Sequence, residues 1–562
     1  MYKYRNNTNL SIRVYFINLS ILAYYMVFTM SCTQASQEPE TVPEQLVCKI
    51  VKVDGISDGY NYDNVDLLPT IELTFNLPVS MASALTHIKM TDMNNADIPV
   101  QLNFDEDDCK LIILPVKLQQ WRQYSLNIPA ALTAKNGSTL GTQLSVNLTT
   151  TLDQSDKFPR ISDEDLLTLV QKQTFKYFWD FGHPVSGMAR ERSTSGNTVT
   201  TGGTGFGVMA MIVAVERKFI TRDAAVERIQ TIVSFLKNNC TRYHGAFSHW
   251  INGQTGATQP FSQRDNGADL VETSFLMQGL LTARQYFSEA SFAETQLRND
   301  ISLLWEAVEW DWFRRDGQNV LFWHWSSNYN WEMNHQIRGW DECLITYVLA
   351  ASSPTHNIPK TVYDDGWARN GAMKNGSSFY GITLPLGSAY GGPLFFSHYS
   401  FLGLNPQNLR DNYAVYWEQN VSHSLINMNY CIDNPLKYKG YSADCWGLTA
   451  SDGNKGYSAH SPTNDQGVIA PTAALSSMPY TPEESLRALR FFYYKLGDQL
   501  WKSYGFVDAF NLTAGWYDDQ FLAIDQGPII VMIENYRTGL LWEIFMACPE
   551  IQEGLSKLGF TF

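Results

Sequence analysis

The pattern of hydrophobic and polar positions along the chain changes near residue 155. Between residues 46 and 150, short runs such as "TIELTFNLPV" and "QYSLNIP" alternate apolar and polar residues, and turn-forming segments such as "DMNNAD" separate them. Alternation with a period of two is typical of half-buried β-strands. Six or seven such runs predict a small all-β, immunoglobulin-like sandwich over residues 46–150.

From residue 160 onwards the pattern becomes that of long helices. The first helical segment, "SDEDLLTLVQKQTFKYFWDFG", begins at Ser162, and Asp165 follows three residues later, which resembles a capping box. Further helices are expected at about 204–218, 221–239, 267–286, 289–311, 335–351, 359–372, 411–429, 466–478, 481–502, 528–547 and 549–558. Roughly a dozen helices with few strands between them predict a mainly α domain over residues 160–562, an (α/α)6 barrel whose inner helices surround a cleft.

The N-terminus has the pattern of an export signal. Basic residues precede an apolar run from about Val14 to Met30, and Ser31 stands just before Cys32. This pattern predicts a bacterial lipoprotein signal peptide over residues 1–32, lipidated at Cys32, and a flexible tether over residues 33–45. The protein is then exported to the periplasm or outer membrane of a diderm bacterium and touches the membrane only through this lipid anchor. An ordinary secretory signal or a single membrane anchor is the alternative.

Composition narrows the class of ligand. The 562 residues carry a formal net charge of −15 and the pI is about 5.1, so a nucleic-acid partner is not expected. Aromatic residues reach 13%, with 16 Trp and 29 Tyr. Many of these rings belong in a core, but Trp and Tyr also suit sugars, because sugar C–H faces stack on rings.

The segment "RDNGADLVETSF" holds three carboxylates, Asp265, Asp269 and Glu272, at spacings of four and three. On a helix these spacings form one stripe, and like charges there repel by roughly 0.2–0.5 kcal/mol per pair. The residues that follow are apolar on most faces. A stripe directed into the cleft of a barrel would explain this costly clustering, whereas a helix face that meets bulk water is the alternative.

A second acidic site follows a loop rich in aromatic residues. Asp341 and Glu342 precede the apolar segment "CLITYVLAA", so Glu342 is expected in the first turn of an inner helix. Apolar surroundings raise the pKa of a carboxyl, which suits a general acid. The alternative is that Asp341 or Glu342 only caps the helix. Asp341 and four rings near this site are candidates for substrate binding, the rings being Trp323, Trp325, Trp331 and Trp340.

Other segments offer weaker candidates for substrate binding. Arg192 lies in the loop "GHPVSGMARERS", Tyr517 lies in "GWYDDQFLAIDQGP", and Glu534 lies in "IIVMIENYRTGLLW". No nucleophile elbow, zinc motif or convincing nucleophilic cysteine occurs, so no metal and no cofactor are expected. Carboxylates on different helices around one aromatic-lined cleft are the minimal equipment for glycoside hydrolysis.

Four motifs carry a family resemblance. "FKYFWDFGHPVSGMARERS", "RDNGADLVETSFLMQGLL", "GWDECLITYVLAASSP" and "IDQGPIIVMIENYRTGLLWEIF" together resemble the bacterial glycoamylase-like family, glycoside hydrolase family 144, whose characterised members are β-1,2-glucanases. The resemblance covers roughly residues 165–555. It implies an (α/α)6 barrel and an inverting mechanism. It also implies that Asp265, Asp269 and Glu272 form the family's acidic triplet and that Glu342 is the general acid, but it assigns no base.

The sequence thus predicts a hydrolase of β-1,2-glucan or sophoro-oligosaccharides, acting as a monomer. Two alternatives remain open. One is a hydrolase of another glucan, such as an α-glucan, on the same barrel. The other is a lipid-anchored glycan-binding protein without catalysis, although clustered carboxylates count against pure binding.

Overall fold

The computed structural model describes residues 44–562 of the chain. The predicted signal peptide, the lipidated Cys32 and most of the predicted tether lie outside the described residues. Within residues 44–562, no helix has both the length and the apolar character needed to cross a membrane.

The region from Cys48 to Thr150 folds into two β-sheets. The four-stranded sheet has the order β1-β3-β7-β6, and the five-stranded sheet has the order β2-β9-β8-β4-β5. All neighbouring pairs are antiparallel except β2 and β9. The elements are β1 (Cys48–Val53), β2 (Asn61–Val65), β3 (Ile71–Phe75), α1 (Met81–His87), β4 (Lys89–Asp92), β5 (Asp97–Ile98), β6 (Val100–Phe104), β7 (Lys110–Pro115), β8 (Gln123–Ile128) and β9 (Leu144–Thr150).

One hydrophobic core joins these two sheets. In β3, Ile71, Leu73 and Phe75 point inward while the residues between them are partly exposed, as period-two alternation requires. The five-stranded sheet contributes side chains such as Leu126 and Val146 to the same core. The alternation seen in the sequence therefore places one face of each sheet inside and the other face outside.

The rest of the chain is mainly helical. Its helices are α2 (Asp163–Trp179), α3 (Thr201–Glu216), α4 (Arg222–Asn238), α5 (Leu270–Tyr286), α6 (Phe292–Glu306), α7 (Leu344–Ser352), α8 (Lys360–Val362), α9 (Tyr416–Asp433), α10 (Pro471–Ser476), α11 (Pro482–Arg490), α12 (Gly497–Leu500), α13 (Ala523–Arg537), α14 (Leu540–Met546) and α15 (Pro549–Leu558). Five-residue π-helical segments extend α8 over Tyr363–Trp367 and α11 over Phe491–Lys495.

Two-stranded pairings and one three-stranded sheet lie in the loops between these helices. They are built from β10 (Thr198–Thr200), β11 (Trp250–Asn252), β12 (Thr258–Gln259), β13 (Ala268–Asp269), β14 (His324–Trp325), β15 (Ser378–Phe379), β16 (Ile382–Thr383), β17 (Ala450–Ser451), β18 (Ser458–Ala459), β19 (Trp501–Lys502), β20 (Gly505–Phe506), β21 (Phe510–Asn511) and β22 (Trp516–Tyr517).

Fully buried and half-buried helices alternate along the chain. Helices α3, α5, α7, α10 and α13 are buried around most of their circumference, whereas α2, α4, α6, α9 and α11 each bury one face. Between α7 and α10, the 3₁₀ turns Leu394–Ser397 and Ser400–Leu402 are buried for most of their length. The apolar sequences of the buried helices are the reason, because they offer no polar face to water.

The buried elements contact one another in a ring. Helix α3 packs on α5 and α13, α5 packs on α7, α7 contacts the turn Ser400–Leu402, and α10 packs on α13. His398 Nε2 lies 3.0 Å from Ser477 Oγ and links the 3₁₀ turns to the end of α10. Helices α3 and α5 approach closely, since a Cβ on Gly279 would lie 2.1 Å from the carbonyl oxygen of Gly205.

Several helix boundaries differ from those predicted. The segment predicted as one helix over 528–547 is two helices, α13 and α14, because Gly539 adopts a φ of 75° between them. The helix predicted over 335–351 begins at Leu344, because the residues before it form turns around buried aromatic rings. Ser162 does cap α2, since its Oγ accepts the N–H of Asp165 at 3.1 Å.

The two-sheet region packs directly on the helical region. The Trp121 ring lies 6.1 Å from Phe491, and Gln120 Nε2 donates a hydrogen bond to the Lys495 carbonyl at 3.2 Å. The guanidinium of Arg122 lies 5.8 Å from the Tyr517 ring. These contacts bring β8 and its preceding turn beside the β21–β22 hairpin.

Candidate active site

The N-terminal ends of four buried helices meet on one side of the helical region. Thr200 precedes α3, Asp269 caps α5, Glu342 stands just before α7, and Asp525 lies in the first turn of α13. A helix N-terminus carries a partial positive charge and free N–H groups, so it favours carboxylates. The fold therefore concentrates acidic side chains at one site.

The acidic triplet Asp265, Asp269 and Glu272 is brought together, but it does not form a helical stripe. Asp265 lies in the loop before α5 and Asp269 is the N-cap, so only Glu272 belongs to the helix. Asp269 Oδ1 accepts the backbone N–H of Glu272 at 2.9 Å. The stripe prediction is wrong because the cap residue has extended φ/ψ, and β13, rather than a helical turn, positions it.

Two histidines, which no sequence motif indicated, hold the acidic triplet. His249 Nδ1 lies 3.0 Å from Asp269 Oδ2, and its Nε2 lies 3.9 Å from Glu272 Oε1. His324 Nδ1 lies 3.5 Å from Asp265 Oδ1, and the pairing of β13 with β14 sets His324 opposite Asp269. Each carboxylate of the triplet thus faces a ring nitrogen.

These contacts set the protonation of the triplet. Burial alone would lower the pKa of His249, but the charge of Glu272 and the hydrogen bond to Asp269 outweigh it and raise the pKa to about 9. Burial works to raise the pKa of Asp269, yet the bond to His249 and the charge of His324 leave that pKa lowered. Asp269 and His249 therefore form a charged pair near neutral pH.

Glu272 is fixed by α3. Its Oε2 accepts the N–H of Gly202 at 2.7 Å and the Thr200 hydroxyl at 3.3 Å. A Cβ at position 202 would lie 2.6 Å from this oxygen, so a glycine is required for the approach. Burial still raises the pKa of Glu272.

Glu342 is buried in the turn just before α7, one turn earlier than predicted. Burial raises the pKa of its carboxyl well above the usual range, and the charges of Asp341, Glu272 and Asp269 add to the effect. A raised pKa favours the protonated form of Glu342, which is the form that a general acid needs. Its position faces the acidic triplet closely enough for those charges to act on it.

Asp341 supports the turn before α7, but the N-cap residue of that helix is Cys343 and no side chain of the described residues makes a capping bond there. Its Oδ1 accepts the N–H of Cys343 at 2.9 Å and the indole N–H of Trp367 at 3.2 Å. Burial raises the pKa of Asp341 to about 6. Because its oxygen is occupied by the protein, Asp341 supports the turn that holds Glu342.

The four candidate tryptophans divide into different environments. The Trp323 ring stacks on His335 at 4.8 Å and lies 5.7 Å from His324, beside the triplet. Trp325 and Trp331 pack on Trp312, at 5.2 and 4.7 Å, in a cluster of loop aromatics. Trp340 is buried against Trp367 at 6.3 Å. Trp323 is thus the ring nearest the carboxylates, whereas Trp340 belongs to the core.

A second acidic group faces the cleft from segments in which the sequence indicated no catalytic carboxylate. We call Asp452, Asp508, Asp518 and Asp525 the aspartate cluster. Carboxylate oxygens of Asp452, Asp508 and Asp518 lie within 4.8 Å of one another. Arg192 Nη1 donates to Asp452 Oδ2 at 2.8 Å, and the Arg192 Nε lies 3.0 Å from Glu191 Oε2.

Protonation in the aspartate cluster differs from that in the triplet. Burial, reinforced by the charge of Asp525, raises the pKa of Asp508 well above its usual range. Burial raises the pKa of Asp525 to about 7, although a hydrogen bond from Asp508 acts in the opposite direction. Both pKa shifts favour the protonated forms of these carboxyls. One oxygen each of Asp508, Asp518 and Asp525 has no hydrogen-bond partner among the described residues.

Within residues 44–562, three groups of side chains have donor atoms spaced closely enough to hold a metal ion. They are His249 with Asp265 and Asp269, Asp341 with Glu342 and Cys343, and Asp452 with Asp508 and Asp518. The last group offers oxygen ligands, which hard cations prefer. Arg192 already supplies a positive charge to it. The expectation that the enzyme needs no metal stays a prediction.

A cleft of about 280 Å³ is lined by His249, which contacts the triplet, and by Arg192, which contacts Asp452. Thr200, His249, Trp250 and Phe261 line the side of the triplet, and Arg192 and Tyr457 line the side of the aspartate cluster together with Glu191, Leu522 and Ile524. Arg192 is therefore placed where the sequence predicted a substrate contact.

Two predicted site residues lie elsewhere. Glu534 is buried near the C-terminal end of α13, where Arg217 donates to it at 2.7 and 2.8 Å. Nine residues of helix, or about 13 Å at 1.5 Å per residue, separate Glu534 from Asp525. Tyr517 faces Arg122 and lines the cavity between the two regions of the chain. Both side chains were assigned to the cleft wrongly, because a segment's proximity to a motif does not fix the direction of each side chain.

The second half of the chain matches a known protein family. Residues 334–549 match the family Glycoamylase, described as "Putative glucoamylase". The chain is 55% identical to the endo-β-1,2-glucanase of Chitinophaga pinensis, solved with sophorotriose and glucose, over 72% of this chain and 99% of that one, with a TM-score of 0.70. The chain belongs to the glycoamylase family.

Two further proteins that resemble this chain come from Parabacteroides distasonis. An exo-β-1,2-glucooligosaccharide sophorohydrolase is 47% identical over 420 residues, 71% of this chain and 58% of that protein, so this chain spans less than two thirds of it. A crystal structure of a β-1,2-glucanase is 37% identical, with a TM-score of 0.69, over 93% of this chain and 74% of that one. The last match is long enough to include part of the two-sheet region.

Proposed function

We propose that this member of the glycoamylase family hydrolyses β-1,2-glucan or sophoro-oligosaccharides, with inversion at the anomeric carbon. The relatives named above act on β-1,2-linked glucose chains, which supports the substrate class. The observation that carries the reaction type is Glu342, a buried carboxyl whose pKa is raised by burial and by the charges of a second set of carboxylates. An acid and a separate base across a cleft are the requirement for inverting hydrolysis.

In this mechanism Glu342 gives its proton to the glycosidic oxygen as the bond from that oxygen to the anomeric carbon breaks. A water molecule attacks the anomeric carbon from the opposite face, and its proton passes to a carboxylate. The products are a shortened glucan and a free sugar of inverted configuration. Glu342 then regains a proton from solvent.

We assign the base to the aspartate cluster rather than to the triplet. The oxygens of Asp269 are occupied by His249 and by the N–H of Glu272, and Glu272 is held by Gly202. Asp525, in contrast, has an oxygen without a partner among the described residues. Its pKa of about 7 suits a base that works near neutral pH. The triplet then positions the sugar and holds the charged ring of His249 in place.

The finer architecture is also a proposal. The ring of five buried helices and one pair of 3₁₀ turns, each preceded in the chain by a half-buried helix, supports an (α/α)6 barrel. Two sheets of four and five strands around one core support an immunoglobulin-like sandwich. In both cases the burial pattern is the supporting observation.

The proposal also covers the cellular location and the oligomeric state of the protein. We infer a lipoprotein anchored at Cys32, exported to the periplasm or outer membrane and monomeric. Labelling with palmitate tests the anchor, and Cys32→Ala is expected to abolish the label. Unchanged labelling of that variant would contradict the lipoprotein assignment.

Sugar release from a panel of glucans tests the activity. The full chain is incubated with β-1,2-glucan, sophoro-oligosaccharides, laminarin and starch, and NMR follows the anomer that appears first. We expect products from the first two substrates only, with the α-anomer formed initially. Release from starch alone would replace the proposed substrate with an α-glucan, and a β-anomer would exclude inversion.

A further inference from the structure

The outward face of the five-stranded sheet carries a line of uncharged polar side chains. Strand pairing sets Asn61 of β2 beside Asn147 of β9, Asn147 beside Ser125 of β8, and Ser125 beside Thr91 of β4. Asn147 Nδ2 donates to Asn61 Oδ1 at 2.9 Å, and Ser125 Oγ donates to Asn147 Oδ1 at 3.0 Å. We call Asn61, Asn147, Ser125 and Thr91 the polar row.

The polar row lies in a shallow cleft of about 570 Å³. Ligand sites commonly have volumes of roughly 300–1,000 Å³. The neighbouring side chains that line the cleft extend its amide and hydroxyl character: Gln123, Asn127 and Thr149. Two carboxylates, those of Asp63 and Asp92, also line the cleft. At one edge, Asp92 Oδ1 accepts the N–H groups of Asn94 and Ala96, so the fold uses that carboxylate itself.

The other sheet provides the contrast. Its outward face carries the ion pair of Lys110 with Glu72 at 2.7 Å, across β7 and β3, whereas on the five-stranded sheet the ion pair of Lys89 with Asp97, at 3.8 Å, lies at the β4–β5 edge beside the polar row. Ion pairs of this kind are the usual covering of a solvated sheet. Amides and hydroxyls both donate and accept hydrogen bonds, and so do sugar hydroxyls, whereas a row without positive charge offers nothing specific to phosphates or acidic polymers.

A chain of contacts links the edge of the polar row's cleft to the helical region. Met93 lies at the edge of the same cleft, and its Sδ is 3.8 Å from Arg122 Nη1. Arg122 packs on Tyr517, and Asp518 of the aspartate cluster is the next residue along the chain. The polar row is thus connected with the hairpin that leads to the proposed active site.

We propose that the polar row binds a neutral glucan chain outside the active site and holds a long substrate against the enzyme. The choice of β-1,2-glucan as the ligand rests on the proposed function, while the neutral, hydroxyl-rich character of the ligand rests on the polar row itself. Short oligosaccharides would fill the active site without reaching this sheet.

The test uses the full chain carrying Glu342→Gln, so that bound glucan is not cleaved. Asn61→Ala, Thr91→Ala and Asn147→Ala are combined in one variant of this parent. The matched control carries Gln101→Ala and Asn103→Ala, which removes two exposed amides of β6 that bond each other at 3.2 Å on the other sheet. Gel electrophoresis with and without dissolved β-1,2-glucan, laminarin or starch measures polymer affinity, and calorimetry measures sophorotriose affinity.

We expect the triple variant to bind the polymer at least about fivefold more weakly than the parent, because several hydrogen bonds to sugar are lost. Binding of sophorotriose and the behaviour of the control should not change. Unchanged polymer binding by the triple variant overturns the inference, as does an equal loss in the control. If the triple variant melts early, Asn147→Asp, which keeps the size of the side chain, replaces it under the same criteria.

Failure of the proposed function is recognised separately. If the wild-type chain releases no sugar from β-1,2-glucan, the proposed function is contradicted. The gels still report whether removal of the polar row weakens binding to another polymer. If the parent binds none of the three polymers, the inference about the polar row is overturned.

Discussion

Two buried acidic groups face the same cleft, and the protein treats their charges in different ways. In the triplet, ring nitrogens of His249 and His324 lie within 3.0–3.5 Å of carboxylate oxygens, so charge is balanced almost one for one. In the aspartate cluster, Arg192 forms an ion pair with Asp452 but with none of the other three aspartates. The pKa of Asp269 in the triplet is lowered, whereas the pKa values of Asp508 and Asp525 in the aspartate cluster are raised.

This difference separates carboxylates that hold neighbouring groups in place from carboxylates that exchange protons. A carboxylate paired with a charged histidine has a lowered pKa and a fixed position, as Asp269 has. A carboxyl whose pKa is raised to about 7, as that of Asp525, changes its protonation near neutral pH and can take a proton from water. The same residue type therefore serves two purposes because its surroundings differ.

The largest effect is expected for Glu342→Gln, which removes the proton that the leaving oxygen requires. Turnover of glucan should fall by about 10²–10⁴ with affinity retained. Glu332→Gln, at an exposed residue of the preceding loop, is the control and should be neutral. Steady-state kinetics measures both, and the loss should shrink for a substrate with a good leaving group. Equal losses on good and poor leaving groups would contradict the acid role.

The assignment of the base is tested by Asp525→Asn beside Asp265→Asn. Loss of a base costs about 10²–10⁴ in rate. Azide is a nucleophile that needs no base, so it should restore turnover to the Asp525 variant and leave the Asp265 variant unchanged. The measurement is the formation of glycosyl azide. Rescue of the Asp265 variant alone would move the base into the triplet.

The structural role of the triplet predicts a loss of stability in Asp269→Ala. This change removes the N-cap of α5 and leaves His249 without its partner, so we expect about 3 kcal/mol or more. Thr221→Ala, which removes only the cap of α4, should cost about 0.5–2 kcal/mol. Chemical denaturation compares the two. A smaller loss for Asp269→Ala would show that the His249 pair contributes little.

The smallest effect concerns pH. The acid limb of the pH profile of kcat/KM should follow the pKa of the base, Asp525, because the base is inactive when it is protonated below that pKa. The charge of Arg192 lowers the pKa of Asp525 and the charge of Asp452 raises it. Arg192→Leu should therefore shift the limb to higher pH and Asp452→Asn should shift it to lower pH, by up to about 1 unit each. Shifts of the same sign would contradict the assignment.

Much of the fold could be predicted from the sequence, because the patterns involved are local. Period-two alternation marked strands such as β3 and β8, and the capping box at Ser162 marked the start of α2. Short helices next to Gly539 or inside aromatic loops were placed less well, since tertiary packing ends them. The four motifs likewise indicated the glycoamylase family, because each is a continuous segment of the chain.

The candidate site was predicted only where one segment carried it. Glu342 and the triplet stand in compact motifs, so they could be selected, although the stripe geometry was wrong. The aspartate cluster was not selected, because Asp452 is distant in sequence from Asp508 and Asp525, and the fold alone brings these residues together. The histidines were missed for the same reason, since His324 reaches Asp265 only through the pairing of β13 with β14.

By itself, the sequence determined the all-β and helical halves, the family and the protonatable residue before α7, because hydrophobic periodicity and short motifs act between near neighbours. Only the tertiary structure decided which carboxylates keep their protons. A pKa depends on burial and on charges within a few ångströms, and those neighbours come from several helices and loops. The ring of buried helices, whose N-terminal ends meet at one cleft, brings them together.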